Sequence, residues 1–408
     1  MDSRPTLKRS LTLPVITLYG LGTTVGAGIY VLVGKVAGHA GPYTPLSFLV
    51  AALLAGVTAL AFTELSARFP KSAGEALYVR EGFGSPSLAL VVGLLVVVAG
   101  TVSAAAISVG AAGYLMVFLD YPKSAVIAAL VLLLGAVAIW GILESALTAS
   151  LFTLVEVGGL LLVIWSGAGS LPDLSAVFMD LAPLSNTAVL GGVFAGALLA
   201  FYAFIGFEDM VNVAEEVTDV RRTLPLAIVL TLLLTAVLYL ALSTVAVLAV
   251  PPAELAASEA PLALIYERSG GRWPEIIITV GIVATLNGAL VQIIMASRVL
   301  YGLAQQEALP KVLGHVHPRT RTPVVATVIV AAAVLSLALW LPIEALAEVT
   351  SVVALVIFLL VNLALILIKR RDPQPHDLWT IPRTVPVAGV LASGAFLLFE
   401  AASLLFGG

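Results

Sequence analysis

The sequence predicts an all-α polytopic membrane protein of about eleven spanning helices, two inverted five-helix units followed by one additional helix. Three features predict it: a composition too apolar for a soluble domain, apolar runs of membrane length repeated along the chain, and two glycine-interrupted spans lying five spans apart. Of the 408 residues, 60% are hydrophobic and 11% charged, with a mean hydropathy of +1.10. Soluble domains carry charged residues at roughly a quarter of positions.

A helix needs about 20 apolar residues to cross roughly 30 Å of hydrocarbon. Runs of that length are placed near 14–36, 42–67, 86–118, 124–143, 147–167, 188–214, 225–249, 275–304, 323–341, 345–368 and 384–406. Stretches such as 88–100 are apolar all round, without the alternation of barrel strands, so the spans are helices. The first run follows Arg4, Lys8 and Arg9 but holds Pro14 and a glycine series with no small-residue cleavage site, and is read as a retained span. The intervening stretches are too short for a soluble core, so residues 1–408 are expected to form one transmembrane domain.

The first apolar unit runs over 14–167, the second over 188–368, and 384–406 is the added helix. With the N-terminus in the cytoplasm, 16 of the 20 Lys and Arg residues fall in inside segments, among them Arg68, Lys71, Arg80, Arg221, Arg222, Lys369, Arg370 and Arg371. Lys35, Lys123, Arg268 and Arg272 fall outside. That bias predicts an inner-membrane protein with N-terminus in and C-terminus out. No basic stripe with interleaved aromatics remains for nucleic acid, and the net charge of -4 says little about partners. The chain has no cysteine, and His39, His315, His317 and His376 are all placed in loops, so no metal or other cofactor is expected.

The first span is interrupted at Gly20-Leu-Gly-Thr-Thr-Val-Gly-Ala-Gly28 and the sixth at Phe204-Ile-Gly-Phe-Glu-Asp209. Five spans apart is an odd offset, so the two units run in opposite senses, and matched broken helices point to a binding site at the bilayer midplane. A half-helix beginning near Ala27 and Gly28 aims free N–H groups at an anion, as a substrate carboxylate would supply. The alternative is that the glycines only permit close helix packing.

Five acids stand out. Glu208 and Asp209 follow the glycine of span six inside an apolar run, where a charge marks an ion or substrate pathway or else is bonded to unwound backbone, holding the break open. Glu215 and Glu216 read as part of a solvated turn with Arg221 and Arg222 before span seven. Glu156 shares a helix face with Thr153 and Gly159, a small polar strip turned into the bundle, where an acid can take up and release a proton. In span eight, Thr285, Asn287 and Gln292 are polar, and Gln292 is the candidate to face a substrate or to bond a neighbouring helix.

Together these residues resemble the amino acid–polyamine–organocation transporters, nearest to bacterial members of the cationic-amino-acid-transporter branch. The resemblance rests on Gly26-Ala-Gly-Ile-Tyr30, on Thr63-Glu-Leu-Ser-Ala-Arg-Phe-Pro-Lys-Ser72, and on Ala203-Phe-Ile-Gly-Phe-Glu208 through Ala214-Glu-Glu-Val217. Leu286-Asn-Gly-Ala289, Ala296-Ser-Arg-Val-Leu-Tyr-Gly302 and Ala308-Leu-Pro310 complete it, and the match covers nearly the whole chain. It implies the inverted five-plus-five, LeuT-like fold, not an enzyme, with a substrate carboxylate on the backbone near Gly26, Ala27 and Gly28. The amino group would sit on carbonyls near Thr24 and across Tyr202, Ala203 and Ile205, with Thr23 and Gln292 beside the side chain. Relatives that work without sodium often carry a lysine where Glu156 stands, and Ala289 replaces the usual small hydroxyl of span eight. A twelfth span of the relatives is missing.

The expectation is therefore a secondary active carrier of amino acids working by alternating access, coupled to protons and independent of sodium. The partners are the substrate, the lipid bilayer and protons, which Glu156, Glu208 or Asp209 would carry. Because the acids could also attract a bare cation, an amine or polyamine carrier, or an exchanger, is the alternative. A channel would need a repeated polar ring and an enzyme a nucleophile–base pair or metal cluster, and neither pattern is found.

Overall fold

The computed structural model describes residues 11–71, 74–140, 146–169, 186–373, 375 and 378–406. The first span forms as two helices, α1 (Leu13–Val25) and α2 (Ala27–Ala40), parted at Gly26. Pro14 opens α1, where its missing N–H costs nothing. The chain then turns through a 3₁₀ segment, Gly41–Tyr43, at a positive φ of 57° on Gly41, into α3 (Thr44–Arg68). A short amphipathic helix, α4 (Gly74–Phe83), leads to α5 (Pro86–Leu115), capped by the Ser85 side chain on the Leu88 N–H. The first unit closes with α6 (Lys123–Trp140) and α7 (Ala146–Gly167).

The sixth span opens as α8 (Thr187–Tyr202), loses its helix at Ala203–Gly206, and continues as the 3₁₀ segment Phe207–Glu216. It is followed by α9 (Val220–Ala249), two short helices α10 (Pro252–Ala257) and α11 (Pro261–Arg268), then α12 (Pro274–Gln305), α13 (Val324–Trp340), α14 (Ile343–Arg371) and α15 (Thr384–Phe406).

Among the described residues, nine helical stretches are long and apolar enough to cross a membrane. One of them, Gly28–Arg68, bends at Gly41 and supplies both the second half of span one and all of span two. Leu13–Val25 and Val324–Trp340 are shorter apolar helices, which brings the spans to the eleven expected. Trp140, Trp165, Trp273 and Trp340 stand exposed at helix ends, the positions of interfacial anchors.

The boundaries depart from expectation in three places. Span seven begins at Val220, a turn before Pro225, because Asp219 takes a left-handed conformation (φ 44°) and starts the helix there; Arg221 and Arg222 are helical, not loop, residues. Spans four and three end at Trp140 and Leu115, and residues 141–145 lie outside the described set. His39 is in the last turn of α2, not in a loop, while His376, Arg4, Lys8 and Arg9 are outside the described residues.

Packing pairs each of the first four spans with the one five places later. α2 lies on α8, α3 on α9, α5 on α12 and α6 on α13. α1 is held between α7 and α9, so the broken first span touches both units. Below the sixth-span break, Phe62, Phe207 and Phe358 stack edge-on with centroids 5.5–5.7 Å apart, joining α3, the 3₁₀ segment and α14.

At the basic end of the bundle a fully buried carboxylate, Glu64, ties three elements together. It accepts from Arg68 Nε (2.8 Å), from Lys369 Nζ at both oxygens (2.8 and 2.7 Å) and from the Ile381 N–H (2.8 Å). Lys369 also donates to the Ile381 carbonyl, which fastens α14 and the lead into α15 onto α3. At the opposite end Lys35 pairs with Glu344 at 3.1 Å and Lys123 with Glu259 at 2.8 Å, both more exposed.

Removing one partner of a buried, hydrogen-bonded pair costs far more than removing an exposed one. Lys369→Met is expected to destabilise the purified protein by about 3 kcal/mol, whereas Lys123→Met costs less than about 1 kcal/mol. Thermal unfolding in detergent compares the two.

Candidate functional site

The two breaks meet. Gly28 packs so closely on span six that a Cβ there would stand 2.6 Å from Ala203 Cα, and Gly206, at φ 127°, lies against the Thr23 carbonyl. Only glycine allows either approach. The Thr23 hydroxyl donates to Gly206 O at 2.9 Å, with Gly20 O of its own helix as the competing acceptor at 3.0 Å. From α9 the Tyr239 hydroxyl reaches both unwound segments, 2.9 Å from Thr24 O and 2.9 Å from Ala203 O. Each carbonyl keeps a second lone pair.

A cavity of about 50 Å³ lies at this junction. Span one lines it with Tyr19, Gly22, Thr23, Thr24, Gly26 and Gly28; span six with Tyr202 and Ile205. α5 contributes Ser103 and Ile107, α7 Thr153, and α12 Asn287, Gly288, Val291 and Gln292. Tyr202 is held by a 2.9 Å bond between its hydroxyl and Ser103 Oγ. The N-terminus of α2 starts here, so its first N–H groups are offered where an anion would bind.

Of the residues singled out in the sequence, Thr23, Thr24, Gly26, Gly28, Tyr202, Ile205 and Gln292 line the cavity. Ala27 and Ala203 flank it through the helix start and the contact with Gly28. Glu156, Glu208 and Asp209 do not line it. The Glu208 carboxylate accepts the Gly206 N–H at 2.8 Å and so satisfies the backbone that the break exposes. Asp209 is buried in the first turn of the 3₁₀ segment.

Glu156 is fully buried on α7. Its Oε1 accepts from Asn287 Nδ2 at 3.3 Å, while Oε2 is a buried oxygen without a partner. Its backbone carbonyl accepts from the Tyr30 hydroxyl at 2.5 Å, and Tyr114 in turn donates to Tyr30 O at 2.7 Å. Thr153, one turn earlier, packs on Gly22. α7 is thereby joined to both halves of span one around a single half-satisfied acid.

Sequence reasoning missed Ser103, Ile107, Tyr239 and the pairing of Asn287 with Glu156. Ser103 could have been found as a hydroxyl within an otherwise apolar run; Tyr239 carries no signal, since its role exists only across helices. Also missed was Glu75, in the first turn of α4 outside the spans and only 5% exposed. Burial pushes its carboxyl up to about 7 from an ordinary 4.5, with the Asp209 carboxyl adding to the rise. Glu208 and Tyr78 are its other electrostatic neighbours.

A helical membrane bundle whose two broken spans meet at a cavity has the architecture of a solute transporter. The crystal structure of MhsT in complex with L-phenylalanine superposes with a TM-score of 0.68 over 98% of this chain and 100% of that one, at 15% identity, which establishes the LeuT-like fold. A family model described as amino acid permease matches residues 11–407, and the chain belongs to that family. It is 31% identical over 392 residues to the vacuolar cationic amino acid transporter 2 of Arabidopsis thaliana, covering 91% of this chain and 61% of that protein. It is 28% identical over 421 residues to the branched-chain amino acid permease BcaP of Bacillus subtilis, covering 96% of this chain and 87% of that one. The chain thus spans about three fifths of the length of the plant relative, and the family and these relatives are transporters rather than enzymes.

Two outcomes test the site's construction. Tyr239→Phe removes the one hydroxyl that bonds both unwound segments and is expected to cost about 1–2 kcal/mol of thermal stability. For Glu75 the sign follows from linkage: the unfolded chain ionises it above about 4.5, the fold holds it neutral up to about 7, so its contribution is complete below pH 4.5 and is lost as pH rises through 7. Glu75→Gln should melt higher than the unmodified protein at pH 8 and alike at pH 4.5. Melting curves that stay parallel across this range would contradict the assignment.

Proposed function

We propose that the chain is a secondary active carrier of amino acids, working by alternating access across the cytoplasmic membrane, independent of sodium and coupled to protons. The observation that carries this reading is the cavity at the junction of the two broken helices, lined by Thr24, Gly26 and Gly28 at the start of α2 and by Tyr202 and Ile205 of span six. A zwitterion suits it: the carboxylate on the N–H groups of Ala27 and Gly28, the amino group on carbonyls of Thr24 and of Tyr202 to Ile205, with Thr23, Gly26 and Gln292 around them. Two relatives named for amino acid transport and a fold neighbour bound to L-phenylalanine support the class of substrate.

The carrier is read as two inverted units, 14–167 and 188–368, with 384–406 added; the pairing of each of the first four spans with the one five later supports this division. The concentration of basic residues at the Glu64 end supports a cytoplasmic N-terminus and an extracytoplasmic C-terminus. Ala289 brings no hydroxyl to α12, which supports independence from sodium.

Glu156 is the proton carrier in this reading. Glu208 is engaged with the Gly206 N–H, whereas Glu156 has an oxygen with no partner in the fold, and it sits where α7 grips both halves of span one. A proton on Oε2 changes the charge at that grip without changing its shape.

Reconstitution into liposomes tests the whole reading. An imposed pH gradient should drive accumulation of labelled amino acid without sodium, and Glu156→Gln should abolish gradient-driven accumulation while exchange at equal pH persists. If the variant still responds to the gradient, Glu156 leaves the mechanism and the proton passes to Glu208 or Asp209.

A further inference from the structure

We infer that the cavity selects amino acids with small, uncharged side chains and rejects cationic ones. This rests on the amino acid carrier reading above and narrows it. Once the carboxylate and amino group are placed on the broken helices, the wall left for a side chain comes from Ser103, Ile107, Tyr202, Ile205, Val291 and Gln292. These are two hydroxyls, three aliphatic groups and an amide; among the described residues lining the cavity, all are neutral.

None of the three acids that could have served as counter-charges lines the cavity. Glu208 bonds the Gly206 N–H, and Asp209 lies in the 3₁₀ segment beyond it. Glu156 stands behind Asn287, whose amide donates to it and presents the neutral remainder to the cavity. A lysine or arginine side chain would therefore bring a full charge into a largely enclosed, neutral space without a partner, the costliest way to bury a polar group. A short hydroxyl or methyl side chain meets matching groups on every side.

Size points the same way. A buried water needs roughly 10–15 Å³ of comparable space, so a cavity of about 50 Å³ holds a few waters. The carboxylate and amino group share this space, so displacing the waters suits an amino acid as small as alanine or serine, and one with an arginine or aromatic side chain overfills it. Tyr202 is fixed against enlargement by its bond to Ser103.

The test uses the reconstituted full chain preloaded with labelled alanine and challenged from outside with unlabelled alanine, serine, lysine, arginine and phenylalanine. Alanine and serine should exchange, with lysine and arginine weaker competitors by about 100-fold or more, as an unpaired buried charge requires. Gln292→Glu, which adds a carboxylate to the wall, should narrow the gap between lysine and alanine by about tenfold; Val291→Asp provides the same readout if the first variant does not fold. Lysine or arginine competing as well as alanine in the unmodified protein overturns this inference and leaves the carrier reading standing. No exchange of any of the five overturns both.

Discussion

The rest of the molecule depends on a pair of helices broken where no water is available to repair them. In hydrocarbon every backbone N–H and C=O must find a partner within the protein, so an unwound segment survives only against protein or a polar cavity. Here the repair is mutual. Thr23 gives its hydroxyl to Gly206, Tyr239 gives its own to Thr24 and Ala203, and Glu208 takes the Gly206 N–H. The first turn of α2 and the end of α1 meet the cavity through Gly28 and Thr24. In the proposed reading the substrate completes what these bonds leave open.

Much of this was legible in the chain itself, for a physical reason. Lipid imposes length and apolarity on every span independently, so eleven runs could be placed without knowing how they pack, and glycine in an apolar run is a local mark of close approach. Pro225 misled for a local reason too: proline favours the first turn of a helix, and it hid the turn that Asp219 begins. The partners of those marks are not local. Tyr239 lies 215 positions from Thr24 and Lys369 305 from Glu64, and nothing in a tyrosine or a lysine near a span end names its acceptor. Most lining residues of the two broken spans were singled out in advance because a broken helix announces its own cavity; Tyr19 was missed. So were Ser103 and Ile107, on the intact helix α5.

The acids show the same division more sharply. Sequence can say that a carboxyl within a span is costly and must have a reason; it cannot say which reason. The fold distributes three. Glu64 is surrounded by fixed donors from Arg68, Lys369 and Ile381 and acts as a fastening. Glu208 is a cap for exposed backbone. Glu156 has one donor, a long bond from Asn287, and one empty oxygen. A carboxylate that is fully bonded has nothing to gain from a proton, whereas one with a bare buried oxygen changes its energy greatly when protonated.

That difference gives the proposed coupling a physical route. Alternating access requires an element whose two positions differ little in energy, so that a single protonation can choose between them. The fastening at Glu64 fixes α14 and the approach to α15 on α3 with donors at both carboxylate oxygens, and Tyr239 fixes α9 to both unwound segments through its hydroxyl. α7 differs. It meets α1 through Thr153 on Gly22, meets α2 through the Tyr30 hydroxyl, and carries between those contacts an acid with one buried oxygen unbonded. Neutralising Glu156 removes the cost of a buried charge in the present arrangement, while ionising it favours any arrangement that admits water or a cation to Oε2. Since the same contacts position Gly22, Thr23 and the start of α2, the arrangement that the proton prefers and the arrangement that holds a carboxylate are set at one place, and substrate and proton need no longer path between them.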